Sequence, residues 1–218
     1  MKIFHDFAQL GMTPECALTI GSFDGVHRGH QAMLAQLKYE ARRRGLPTCV
    51  LTFEPHPRDY FSLRAGRHEN VVSRISSLDE KLEEFRRCAV DQVMVLRFDE
   101  RIASLSGQEF IEEVLVNALG VRYILIGNDF HFGAGRSGNY DTLKKAGQVH
   151  GFDASRMDSY KIRGTRVSST LVRQALARGN MADVETFLGR PYESTSSSGR
   201  QQASWPRPSG CTDRAATA

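Results

Sequence analysis

One stretch constrains the fold of this chain more than any other: Leu18-Thr-Ile-Gly-Ser-Phe-Asp-Gly-Val-His-Arg-Gly-His30. Its apolar start, Ala17 to Ile20, lies between Pro14 and Gly21 and predicts a short buried strand. Directly afterwards Met33, Leu34, Leu37 and Ala41 recur at the helix period. That spacing predicts a helix running to about Arg44 and closing at Gly45. Between strand and helix, Gly21, Gly25 and Gly29 let backbone N–H groups approach a ligand closely. Donors at a helix N-terminus attract anions, and phosphate is the usual one. His27 and His30 are three apart and share a face if the first helical turn contains both. There they would donate hydrogen bonds to charge growing on a reacting phosphate. A zinc site needs further His, Cys or carboxylate ligands, and none is suitably spaced, so no residue is assigned to a metal.

The pattern continues as strands alternating with helices. Pro47 to Phe53 predicts a second strand whose continuous apolar core suits a parallel sheet covered on both faces. Glu54-Pro-His-Pro57 breaks the chain. Ser77 to Cys88 predicts a helix with Leu78, Leu82 and Phe85 on one side, and Gln92 to Phe98 a third strand. Ser106 to Leu119 predicts an amphipathic helix stopped by Gly120, and Val121 to Ile126 a fourth strand. The alternation implies an α/β fold with a doubly wound parallel sheet.

Two later segments carry chemistry or imitate it. Gly133-Ala-Gly-Arg-Ser-Gly138 matches the dinucleotide-binding Gly-x-Gly-x-x-Gly, with Asp158 twenty positions on. That pattern should turn straight from strand into helix; here six residues intervene after Gly127, so hydride transfer is rejected. The expectation is instead a mobile glycine-rich loop with Arg136 near a ligand. In Arg163-Gly-Thr-Arg-Val-Ser-Ser-Thr-Leu-Val-Arg173, Ser168 or Ser169 is a good N-cap for a helix ending at Arg178-Gly179. Ser169, Thr170 and first-turn N–H groups would face an anion, with Arg166 and Arg173 adding cationic contacts. Taken alone, an ordinary capped basic helix explains this segment; paired with the histidine word, a phosphate site explains it better.

The first word resembles the nucleotidyltransferase signature His-x-Gly-His, and Phe23-Asp-Gly-Val-His27 narrows the likeness. The chain from about Ala17 to Tyr192 resembles the adenylyltransferase module of bacterial bifunctional riboflavin kinase/FAD synthetases. Gly127-Asn-Asp-Phe-His-Phe-Gly133 and Ser168-Ser-Thr-Leu-Val-Arg173 stand where that family has Gly-x-Asp-Phe-x-Phe-Gly and Ser-Ser-Thr-x-Ile-Arg, with Val172 in place of Ile. The resemblance implies a Rossmann-like sheet and formation of FAD from FMN and ATP with Mg²⁺. It implies His27, His30, Arg166 and Arg173 as catalytic. Gly21, Ser22, Phe23, Asp24, Gly29, Asp129, Ser169 and Thr170 would bind ATP, Asp24 either fixing the turn or touching the nucleotide. Phe61 and Phe132 fall where the family stacks the flavin, while core packing accounts for Phe53 and Phe130. His56 meets substrate or caps its turn, and Arg136 lies on the flavin side.

Alternatives remain at this level. Another small-molecule nucleotidyltransferase would share the histidine word, and a truncated flavin or nucleotide binder would bind without turnover. Aminoacyl-tRNA synthetases share a related signature, but Lys-Met-Ser-Lys-Ser is absent. A net charge of +4, from 29 basic and 25 acidic residues, suits anionic nucleotides without being a nucleic-acid signature. The four scattered cysteines fit a reducing compartment, and with no signal peptide or membrane-length apolar run the expectation is a cytoplasmic protein with no nucleic-acid or membrane partner. Residues 1–192 are expected to form the FMN adenylyltransferase domain. Residues 193–218, rich in Ser, Pro, Arg and Ala, are expected to be a disordered tail where the family has a riboflavin kinase domain with a Pro-Thr-Ala-Asn motif. Riboflavin kinase activity is accordingly expected to be absent.

Overall fold

The computed structural model describes residues 1–7, 15–67 and 73–192. The expected tail at 193–218 lies outside the described residues. A six-stranded sheet runs in the order β1-β4-β3-β2-β5-β6. Its strands are β1 (Lys2–Phe4), β2 (Cys16–Ile20), β3 (Thr48–Glu54), β4 (Gln92–Arg97), β5 (Val121–Gly127) and β6 (Asp153–Met157), all paired in parallel. Parallel pairing requires crossovers, and helices supply them. Between the strands lie α1 (Arg28–Arg44), α2 (Pro57–Arg64), α3 (Leu78–Arg87), α4 (Glu100–Ser104), α5 (Gly107–Glu109) and α6 (Tyr140–His150), and after β6 come α7 (Ser169–Ala177) and α8 (Met181–Leu188).

Side-chain alternation along the central strands explains why both faces are covered. Leu18, Ile20, Met94, Leu96, Ile124 and Ile126 point to one face and pack on Phe110, Ile111, Leu115 and Leu143. Val50, Val93 and Val95 point to the other, against Leu34 of α1 and Leu82 and Phe85 of α3. Ala17, Tyr123 and Leu125 continue that second face under Leu37 and Ala41. A smaller cluster of Ile75, Val172, Ala175, Val184 and Leu188 fastens α7 and α8 to the body. α1 ends at Arg44 with Gly45 left-handed (φ 66°), as its sequence predicts.

The segment expected as one helix over 106–119 forms differently. After the short α5, capped reciprocally by Ser106 and Glu109, Phe110–Ala118 winds as a π-helix, and Leu119 N–H donates to the Val114 carbonyl at 3.1 Å. The glycine-rich loop at 133–138 is tethered where mobility was expected. Phe132 and Gly138 exchange two backbone hydrogen bonds, Ala134 N–H donates to Leu105, and Gly107 N–H donates to Ser137 Oγ. Gly133 (φ 73°) lies so close to α5 that a Cβ there would sit 2.4 Å from Gly107 N. Gly133 and Gly138 serve close packing and Gly135 a left-handed turn (φ 61°), which is why the dinucleotide pattern misleads.

The strand order reverses at β2, which has β3 on one side and β5 on the other. Open α/β sheets bind ligands outside the carboxyl ends of their strands at such a switch point. Gly127 ends β5 there, and Gly21 and Asp158 follow the carboxyl ends of β2 and β6.

Candidate active site

The loop between β2 and α1 is tightly wound. Phe23 (φ 49°) and Val26 (φ 38°) hold positive φ that side chains rarely adopt, and both are fully buried. His27 stands just before α1 as its N-cap, so it is not in the first turn with His30. Its Nδ1 accepts the His30 N–H at 3.3 Å, and the two rings still meet, stacked 3.6 Å apart at 14°. Capping supplies the shared face that helical spacing was expected to supply. Because Nδ1 accepts, the neutral His27 ring carries its proton on Nε2.

Burial lowers the His27 pKa to about 4, opposed by its own backbone and by Asp24. His30 falls well below 6.5 for the same reason, with His27 and Lys81 adding to it, and its buried Nδ1 has no hydrogen-bond partner among the described residues. Both rings are therefore neutral donors at neutral pH. A consequence follows for stability. Between pH 6.5 and about 4 the unfolded chain binds protons at these histidines that the folded chain refuses. Stability is thus complete above pH 6.5 and expected to fall on acidification, by up to about 1.4 kcal/mol per pH unit per histidine. Urea unfolding at stepped pH, compared with a His27→Gln/His30→Gln variant, checks it: the variant should show a shallower slope.

The second word is presented by a hairpin absent from the sequence expectation. β7 (Lys161–Ile162) pairs antiparallel with β8 (Thr165–Arg166). The two residues between them, Arg163 (φ 50°) and Gly164 (φ 79°), make the left-handed turn that suits such hairpins. The hairpin sets Arg166 in the cleft, ion-paired with Asp129. Ser168 caps α7 through its Oγ, and Ser169 Oγ donates to the Asp24 carbonyl at 3.0 Å. Gly29 brings the two words into contact, since a Cβ there would lie 3.4 Å from the Val167 carbonyl.

Arg173 and Asp24 sit elsewhere than expected. Arg173 donates to the Asp24 carboxylate at 2.6 Å and to the Ser73 carbonyl at 2.9 Å, and does not line the cleft. Asp24, 2% exposed, also accepts from the Ile75 and Ser76 N–H groups. Of its two expected roles, the structure shows turn fixing. The pair locks the signature loop to α7, leaving Arg166 as the arginine that faces the histidines.

Two clefts adjoin. One, about 320 Å³, is lined by Gly21, Phe23, His27, Gly29, His30, Asp129, Arg166, Ser168 and Ser169. The other, about 510 Å³, is lined by Ser22, Phe53, His56, Phe61, Phe98, Phe110, Phe130, Phe132 and Arg136. Gly21, Asp129 and Phe130 belong to both walls. Ser22 thus faces the aromatic cleft, and the exposed Thr170 lines neither. Phe61 is 52% exposed at the rim, whereas Phe132 is 8% exposed and stacks on Phe130. Phe53 and Phe130, expected in the core, are partly buried and also reach the cleft. His56 caps α2, accepting from Arg58 N–H at 3.0 Å, and lines the cleft as well. Arg136 meets His131 at 3.1 Å. Sequence reading missed Phe98, Phe110 and Tyr160 as lining residues, since none lies in a signature word. Asp158, noticed only as part of the rejected pattern, lines the histidine cleft and accepts from Asn128 at 2.9 Å. Among the described residues no three His, Cys, Asp or Glu side chains are grouped to hold a metal, and no helix is long and apolar enough to cross a membrane.

Comparisons with known proteins bear on this arrangement. The family model for FAD synthetase matches residues 11–171. A bifunctional riboflavin kinase/FMN adenylyltransferase of Escherichia coli K12 is 44% identical over 194 residues, covering 88% of this chain and 60% of that protein. A protein of the same description from Pseudomonas fluorescens is 44% identical over 177 residues, covering 81% of this chain and 55% of its own length. The chain thus spans about 60% or less of these curated relatives. A crystal structure described as a macrolide-efflux protein from Streptococcus pneumoniae superposes with a TM-score of 0.76 at 26% identity, over 87% of this chain and 60% of that one.

Proposed function

The chain belongs to the FAD synthetase family, and we propose from that premise that it transfers the adenylyl group of ATP to FMN, giving FAD and pyrophosphate. The observation that carries this reading is the pair of clefts sharing Gly21, Asp129 and Phe130. One has donors for phosphates and the other has aromatic walls for a flat ring, so a bond formed between their occupants forms at the shared wall. The relatives described as FMN adenylyltransferases support the same substrates.

The FMN phosphate is the nucleophile. A phosphate monoester with a second pKa near ~6 is largely dianionic at neutral pH, so it attacks the α-phosphorus of ATP without a general base. The P–O bond to pyrophosphate breaks as the new P–O bond forms. What the protein supplies is alignment and relief of negative charge. Neutral His27 donates from Nε2–H, His30 stands stacked beside it, and Arg166 brings positive charge. Ser169 and the start of α7 stand on the facing wall. Asp129, on the wall shared by the two clefts, would orient a Mg²⁺ ion carried on ATP, and the ion's positive charge would offset the negative charge of the phosphates.

Incubation of the protein with FMN, ATP and Mg²⁺, with products separated by chromatography, is the test. FAD and pyrophosphate are expected in equal amounts. Tight binding of both substrates without FAD would show a binder instead. Replacing FMN by riboflavin tests the expected lack of kinase activity in the same assay.

A further inference from the structure

The strained turn at Gly25–Val26, directly before His27, is held from one side by a residue far along the chain. Arg190 donates from its Nη2 to the Gly25 carbonyl at 2.9 Å and from Nη1 toward the Val26 and Leu188 carbonyls at 3.5 Å. Its Nε lies 3.2 Å from Glu84, whose side chain is only 10% exposed. Gln31 Nε2 donates to the same Val26 and Leu188 carbonyls at 2.9 and 2.8 Å. From the other side, Gly25 N–H donates to Ser76 Oγ at 3.0 Å. Positive φ at Val26 is unfavourable for a β-branched residue and persists only where the surroundings over-determine it. A guanidinium fixed by a buried carboxylate, with its remaining N–H groups aimed at two successive carbonyls, is such a constraint.

We propose that Arg190 is a positioning residue: through the Gly25–Val26 carbonyls it fixes where His27 points its Nε2–H. The proposal rests on adenylyl transfer for its kinetic readout only. Lysine keeps the charge but lacks the rigid fork, so Arg190→Lys separates aim from charge. Its kcat for FAD formation is expected to fall about tenfold to a hundredfold, the scale for slight misplacement of a reacting geometry. The KM values for ATP and FMN should change by less than about threefold, because the group that moves acts in the transition state. Arg87→Gln is the control. Arg87 also pairs with Glu84 but touches neither carbonyl of the turn, and kcat should be unchanged.

A second readout does not depend on turnover. Nitrogen-15 NMR of the histidine rings should show His27 in the wild type with Nε2 protonated and a pKa of about 4. In Arg190→Lys its Nδ1 should no longer be held as an acceptor of the His30 N–H, and its pKa, still lowered by burial, should rise above that of the wild type. If Arg190→Lys does not fold, Glu84→Gln, which frees Arg190 without removing it, takes the same two measurements. An unchanged kcat with an unchanged His27 titration overturns the proposal. So does a loss of stability with His27 unaltered, which would make Arg190 a merely structural clamp. Should the wild type make no FAD, the proposed reaction fails while the NMR measurement still decides the role of Arg190.

Discussion

Replacing His30 with alanine is expected to lower kcat for FAD formation by about a hundredfold or more, the scale for losing one transition-state donor. Substrate affinity should fall much less, because the histidine cleft is also lined by Gly21, Arg166 and Ser169, which the substitution leaves in place. The stacked ring of His27 loses its neighbour as well, so part of the effect is loss of aim. His30→Gln keeps a side-chain N–H donor, so the same loss in that variant would assign the effect to the imidazole itself. Steady-state kinetics with ATP varied at saturating FMN make the measurement. Normal turnover by His30→Ala would show that His30 has no part in the chemistry.

The largest effect on stability is expected at Asp24. Asp24→Asn leaves the Arg173 guanidinium facing an amide in a buried setting, and breaking a buried ion pair by removing one partner costs about 3–5 kcal/mol. One carboxylate oxygen accepts from the Ile75 and Ser76 N–H groups and the other from Arg173. Asparagine can keep the first pair of bonds while its amide nitrogen faces Arg173, so the loss falls on the link to α7. Urea unfolding should show a lower midpoint, and Asp24→Asn/Arg173→Met should recover part of the loss. Equal stability of Asp24→Asn and the wild type would mean that the pair contributes nothing.

How far the chain can be read from sequence depended on whether a feature is local. β2, β3, β4 and β5 are continuous apolar runs because both their faces are covered, and each was legible. β1 and β6 were not, being edge strands; β6 reads Asp-Ala-Ser-Arg-Met, with no apolar run to mark it. Helix α6 buries only Leu143, Ala146 and Gly147, too few to show a period. The π-helix has no pattern of its own, since its residues show the same apolar spacing an α-helix would. At the site, the two phosphate words were legible as words. The partner of Arg173 was not, because Asp24 lies 149 positions away and only the fold brings them together.

The clasp on the Gly25–Val26 turn has a consequence for how the molecule comes into being. The turn leaves the ribosome well before the guanidinium that clasps it, because Arg190 lies 165 and 164 positions after the Gly25 and Val26 carbonyls it holds. At ribosomal speeds that separation corresponds to roughly ten to thirty seconds. Within that interval α1 can form from its own local contacts and β2 can pair first with β3 and later with β5, while the ligand loop lacks its far clasp. Nucleotide therefore meets a finished site only after α8 has docked. The binding loop is early in order of birth and late in order of maturity.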